Sequence, residues 1–145
     1  MKIVDLLKIE SIDLKAQPKD KAAALEHLIT LMESSGNLLD KDEYRACVLR
    51  REEEGSTGIG EGIAIPHAKT SAVRAPGLAA MLVKDGVDFD SLDGEPAKLF
   101  FLIAAPDTKD NVHLDVLSHL SMLLMNDDFR SELLNAGSAK DFLAV

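Results

Sequence analysis

Between Pro18 and Ser35 the apolar residues Ala22, Leu25, Leu28, Ile29 and Met32 recur at three- and four-residue steps, the spacing of one face of a helix. Pro18 suits the first turn of that helix and Gly36 its C-terminal cap. Asp40 with Glu43 has the spacing of a capping box and predicts a second helix ending near Gly55. The pattern then changes to a glycine-rich loop, Gly58-Ile59-Gly60-Glu61-Gly62, followed by the short apolar run Ile63-Ala64-Ile65, which suits a buried strand. Pro66 stops regular pairing, so His67 is expected at the end of that strand.

Leu78 to Val83 and Lys98 to Ala104 are nearly unbroken apolar runs bounded by Gly, Pro or Asp, as in strands buried on both faces. Helices must then cover both sides. Asn111 to Met125 predicts one, with Val112, Val116, Leu117, Leu120, Leu123 and Leu124 on its apolar side, and Asp127 to Ala136 predicts another. A last short helix is expected after Ser138, a plausible cap. Connections such as that from His67 to Gly77 are too short for parallel crossovers. The expected fold is therefore α/β and three-layered, a mixed β-sheet flanked by helices on both faces, with residues 1–145 as a single domain.

Chemistry is concentrated around a few residues. Of the four histidines, His27 sits in a charged helical segment and reads as an incidental surface residue, and His119 reads as a partly buried structural one. His119 lies six residues beyond His113, on roughly the opposite side of one helix, so the two do not readily share a ligand. No HExxH or CxxC spacing exists, and no metal site is expected. The glycine loop lacks the third position of a dinucleotide fingerprint, where Ile63 stands, and has no Gly-Lys-Ser/Thr of a P-loop.

His67 differs, because an imidazole following Pro66 is aimed in a defined direction beside glycines that permit close approach of a partner. Ser56 and Thr57 offer hydroxyls, and the N–H groups around Gly58 and Gly60 can form an anion-binding nest. Arg51, or its neighbour Arg50, can add a planar fork of donors for phosphoryl oxygens, although an arginine beside Glu52, Glu53 and Glu54 is also an ordinary solvated residue. His113 falls in the first turn of a helix, where the dipole attracts anions. The docking of a partner could involve Ile59 and Ile63, for which core packing is the competing reading.

The composition, 46% hydrophobic and 28% charged, is that of an ordinary globular domain. A formal net charge of −9 opposes binding to nucleic acid or an anionic membrane and favours a partner with a basic face. The single cysteine, Cys47, permits no intrachain disulfide and reads as a packing residue in an apolar helical stretch rather than a reactive thiol. The first ten residues carry Asp5 and Glu10 without a long apolar run, and no stretch approaches the roughly 20 apolar residues of a membrane span, so a cytoplasmic location without direct membrane insertion is expected.

Taken together, Arg51-Glu52 and the run Ser56-Thr57-Gly58-Ile59-Gly60-Glu61-Gly62-Ile63-Ala64-Ile65-Pro66-His67-Ala68-Lys69 resemble the phosphorylation-site signature of phosphotransferase-system enzyme IIA domains of the fructose/mannitol type. A second block, Ala104-Ala105-Pro106 through Asn111-Val112-His113-Leu114 to Ser121-Met122-Leu123-Leu124, is similar to that family's C-terminal helical segment. The resemblance covers essentially the whole chain. It implies a phosphotransferase in which His67 accepts a phosphoryl group on Nε2, Nδ1 is oriented by a backbone acceptor, and Arg51 and His113 flank the reacting centre. The implied donor is phospho-HPr, and the acceptor is the cysteine of a sugar-specific, fructose-type IIB component; a IIC membrane permease lies further on, and no cofactor is called for. Cys47 matches no site of the family. The alternative is a regulatory, nitrogen-type IIA paralogue that acts by phosphorylation-dependent protein binding; His67-Ala68-Lys69-Thr70 and Leu114-Asp115-Val116-Leu117 look more like the fructose type.

Overall fold

The structure, a computed structural model, describes residues 3–107 and 112–144. In chain order the elements are α1 (Ile3–Leu6), β1 (Leu7–Asp13), α2 (Lys21–Ser34), α3 (Lys41–Glu54), β2 (Gly58–Gly60), β3 (Ile63–Ala64), β4 (His67–Lys69), β5 (Gly77–Val87), β6 (Ala97–Ala105), α4 (Val112–Leu124), α5 (Asp127–Leu134) and α6 (Ala139–Ala144). The strands form one sheet in the order β1-β5-β6-β3-β2, with β4 also paired to β6. Pairing is parallel for β1 with β5 and for β3 and β4 with β6, and antiparallel for β5 with β6 and β2 with β3. The sheet is mixed, as the short connections require.

Strand periodicity explains how this sheet organises two cores. Along β5 and β6, Ala79, Met81, Phe100, Leu102 and Ala104 face one side, where they meet Leu25, Leu28, Ile29 and Met32 of α2 and Tyr44 and Val48 of α3. Leu78, Ala80, Leu82, Leu99, Phe101 and Ile103 face the other, against Val116, Leu120 and Leu124 of α4, Leu133 of α5 and Phe142 of α6. Both faces are covered, so the central strands read as continuous apolar runs.

Several boundaries differ from the sequence reading. The first long helix begins at Lys21, because the Asp20 side chain accepts from Ala23 N–H and caps it; Pro18 lies before the helix rather than in its first turn. Asp40 caps α3 by accepting from Glu43 N–H at 3.1 Å. Strand β1 was not legible, since its burial does not alternate cleanly and its pairing with β5 slips in register between Leu7 and Ile12. The glycine-rich segment is a small hairpin, not a loop alone: Gly58–Gly60 pairs with Ile63–Ala64 across a turn in which Gly60, Glu61 and Gly62 all have positive φ. The strand breaks at Ile65 and Pro66, after which His67 begins a new strand rather than ending the old one.

Candidate functional site

His67 is held from three directions. Its strand pairs with β6 at Ile103, whose own N–H donates to the Pro66 carbonyl at 3.0 Å. Its ring Nδ1 lies 3.0 Å from the Ile65 carbonyl oxygen. A carbonyl only accepts, so Nδ1 carries the proton and the lone pair of the neutral ring resides on Nε2. The backbone acceptor expected for Nδ1 is thus Ile65. Between His67 and Lys69, which are half-buried, Ala68 is buried in the core beneath α2 and α3 and anchors β4 there.

A cavity of about 350 Å³ opens at this edge of the sheet, lined by Cys47, Arg50, Arg51, Glu54, His67, Ala68 and Lys69. The α3 contribution follows helical spacing: Cys47, Arg50 or Arg51, and Glu54 form a stripe beside the Tyr44 and Val48 positions that enter the core. Three cationic side chains against one carboxylate make this a favourable place for a phosphoryl group within an acidic chain. Arg51 is further fixed by donating from Nη1 to the Gly55 carbonyl at 2.9 Å. A larger cavity, about 490 Å³, lies at the far end of β5 between Leu14–Pro18 and Val83–Gly86, but no histidine or arginine lines it.

The other expected site residues are placed differently. His113 falls in the first turn of α4, a helix that packs against β4 and β6; its side chain lies outside what is described. Ser56 and Thr57 do not line the cavity. The Ser56 hydroxyl donates to the Phe89 carbonyl at 2.7 Å and accepts from Gly58 N–H, and the Thr57 hydroxyl donates to the buried carboxylate of Glu52. Gly58 and Gly60 make room for the loop after β5: a Cβ on Gly58 would stand 2.5 Å from Ser91 Oγ, and one on Gly60 would stand 3.1 Å from Asp93 Oδ2. Each glycine therefore has a packing reason for lacking a side chain.

Four further readings are corrected or refined. His27 is no incidental surface residue, because its Nε2 lies 2.7 Å from Asp13 Oδ2 and ties α2 to the end of β1. His119 is exposed rather than partly buried. Cys47 is half-buried, packing against the core while also lining the His67 cavity. Of the two isoleucines considered for docking, Ile63 is 3% exposed and belongs to the core, whereas Ile59 is 43% exposed. Among the described residues, no cluster of three or more His, Cys, Asp or Glu is arranged to hold a metal ion, and no helix is long and apolar enough to cross a membrane.

A positioned imidazole with an arginine beside it on this mixed sheet invites comparison with known proteins. Residues 5–145 match the family model for the phosphoenolpyruvate-dependent sugar phosphotransferase system, EIIA 2. The chain belongs to this EIIA family. It is accordingly a phosphotransferase-system component of the kind that passes phosphoryl groups between proteins. It is 48% identical over 138 residues to the fructose-specific EIIABC component of Bacillus subtilis, covering 95% of the chain but only 22% of that longer relative. The fructose-specific EIIA component of Haloferax volcanii is 44% identical over 90% of the chain and 84% of its own length. In three dimensions the chain matches the nitrogen regulatory protein IIA-Ntr of Neisseria meningitidis with a TM-score of 0.90 at 31% identity, covering 98% and 97% of the two chains. It also matches the mannitol IIA of Escherichia coli in complex with phosphorylated mannitol IIB, with a TM-score of 0.81 at 25% identity, covering 96% and 99%.

Proposed function

We propose that this EIIA domain, residues 1–145, accepts a phosphoryl group from phospho-HPr on His67 Nε2 and passes it to the cysteine of a fructose-type IIB component in the cytoplasm, upstream of a IIC permease. The observation that carries this reading is the hydrogen bond from His67 Nδ1–H to the Ile65 carbonyl beside a cavity shared with Arg51. It leaves the reactive lone pair on Nε2 in the neutral ring. In the first step the Nε2 lone pair attacks phosphorus, and the bond from phosphorus to the donor's imidazole nitrogen breaks. The ring then carries positive charge, which the Nδ1–H···O=C contact to Ile65 stabilises. In the second step a thiolate sulfur attacks phosphorus, the P–Nε2 bond breaks, and neutral His67 is regenerated. Arg51 and His113 are assigned to the equatorial oxygens, where donors lower the barrier without a metal ion.

The fructose assignment is supported by the two fructose-specific relatives, and IIB as acceptor by the mannitol complex. The likeness to IIA-Ntr favours a second reading, a phosphorylation-dependent regulator. Incubation with phospho-HPr followed by fructose-type IIB separates them. Onward transfer to IIB supports the carrier, and acceptance without onward transfer supports the regulator.

A further inference from the structure

Glu52 is a carboxylate whose side chain is 5% exposed, one residue beyond Arg51 in the last turn of α3. A charge so buried must be paired and hydrogen-bonded. Lys21 Nζ stands 3.0 Å from Oε2, Thr57 N–H donates to the same oxygen at 3.3 Å, and the Thr57 hydroxyl donates to Oε1. Lys21 is itself steadied 4.7 Å over the ring of Phe89 and 3.6 Å from Asp90.

The contacts continue toward the site. The Thr57 carbonyl accepts from Ile65 N–H at 3.0 Å, and the Ile65 carbonyl accepts from His67 Nδ1–H at 3.0 Å. Ile65 is 1% exposed and is followed by Pro66, whose carbonyl is bonded to β6, so the acceptor that sets the imidazole has little room to turn. We infer that Glu52 is a positioning residue for His67, acting through Thr57 and Ile65 to hold the imidazole in the Nδ1–H tautomer. The inference rests on His67 as the phosphoryl acceptor. It also gives Glu52 and Thr57 a shared task, with the Thr57 hydroxyl serving the carboxylate.

The test combines ring nitrogen NMR with rapid-mixing kinetics on the full chain. Long-range ¹H–¹⁵N spectra of the unphosphorylated protein report the His67 tautomer, and transfer from phospho-HPr reports the maximal rate and the half-saturating donor concentration. For Glu52→Gln and Thr57→Val the inference expects a mixture of His67 tautomers and a maximal rate lowered about 10- to 100-fold, with half-saturation little changed. Thr57→Ser keeps the hydroxyl and is expected to restore both readouts. A pure Nδ1–H tautomer with an unchanged maximal rate in the folded variants overturns the inference, and if Glu52→Gln does not fold, Thr57→Val decides alone. Should the wild-type chain accept no phosphoryl group, the carrier reading fails, while the tautomer comparison still decides the role of Glu52.

Discussion

At the scale of single residues the proposed function assigns the chemistry to His67 and Arg51, which are expected to fail in different ways. His67→Ala removes the nucleophile and should abolish phosphoryl acceptance. Because the ring is half-buried at the sheet edge, the variant should keep its cooperative melting. Intact-mass measurement after incubation with phospho-HPr checks the first expectation and calorimetry the second. Arg51→Ala leaves the nucleophile in place but removes a donor from the cavity, so labelling should persist at His67 while the transfer rate falls about 100-fold. An unchanged rate in that variant would move the charge-stabilising role to Arg50 or Lys69, which line the same cavity.

Elements show where stability comes from and how far the sequence could be read. The buried runs of β5 and β6 and the apolar stripe of α2 were legible because burial imposes periods of 2 and 3.6 on the chain. Leu28 is fully buried beneath the sheet, and Leu28→Ala should cost about 2–5 kcal/mol in denaturant unfolding. His67 was legible through Pro66 and its glycine neighbours. By contrast, the inward turn of Ser56 and Thr57 depends on Glu52 and Phe89, and nothing local in sequence announces a partner 33 residues away. Edge strand β1 was hidden because half of it faces solvent and a register slip breaks its alternation.

Tyr44 adds a pH dependence that belongs to the α3–sheet contact. It is the chain's one tyrosine, fully buried, with its hydroxyl donating to the Ile103 carbonyl at 2.9 Å. Burial pushes the phenol well above the ordinary tyrosine range, so the folded state favours the protonated form. The resulting stability is fully present below the unfolded value of about 10 and is lost as pH rises beyond it. Tyr44→Phe should therefore lose about 1 kcal/mol at neutral pH yet show a shallower alkaline decline, read from melting temperatures between about pH 8 and 11.

For the molecule as a whole, charge is distributed unevenly. A chain of net charge −9 holds a cavity lined by Arg50, Arg51 and Lys69 against the single carboxylate of Glu54, so the bulk of the surface and the cavity attract different things. The acidic exterior suits encounter with a basic carrier face, and the cationic cavity suits the group that is handed over. Association with phospho-HPr should slow about tenfold between low and high salt, while the transfer step measured at saturating donor should change little. A rate of association insensitive to salt would show that apolar contacts such as the exposed Ile59 govern docking instead.

The central claim is that the phosphoryl group resides on Nε2 of His67. Phosphorus–nitrogen NMR of the ¹⁵N-labelled chain after reaction with phospho-HPr tests it directly. The expected result is one phosphoryl group coupled to His67 Nε2, with Nδ1 still protonated. A group on Nδ1, on another residue, or absent while a known IIA domain is labelled in the same mixture would contradict it.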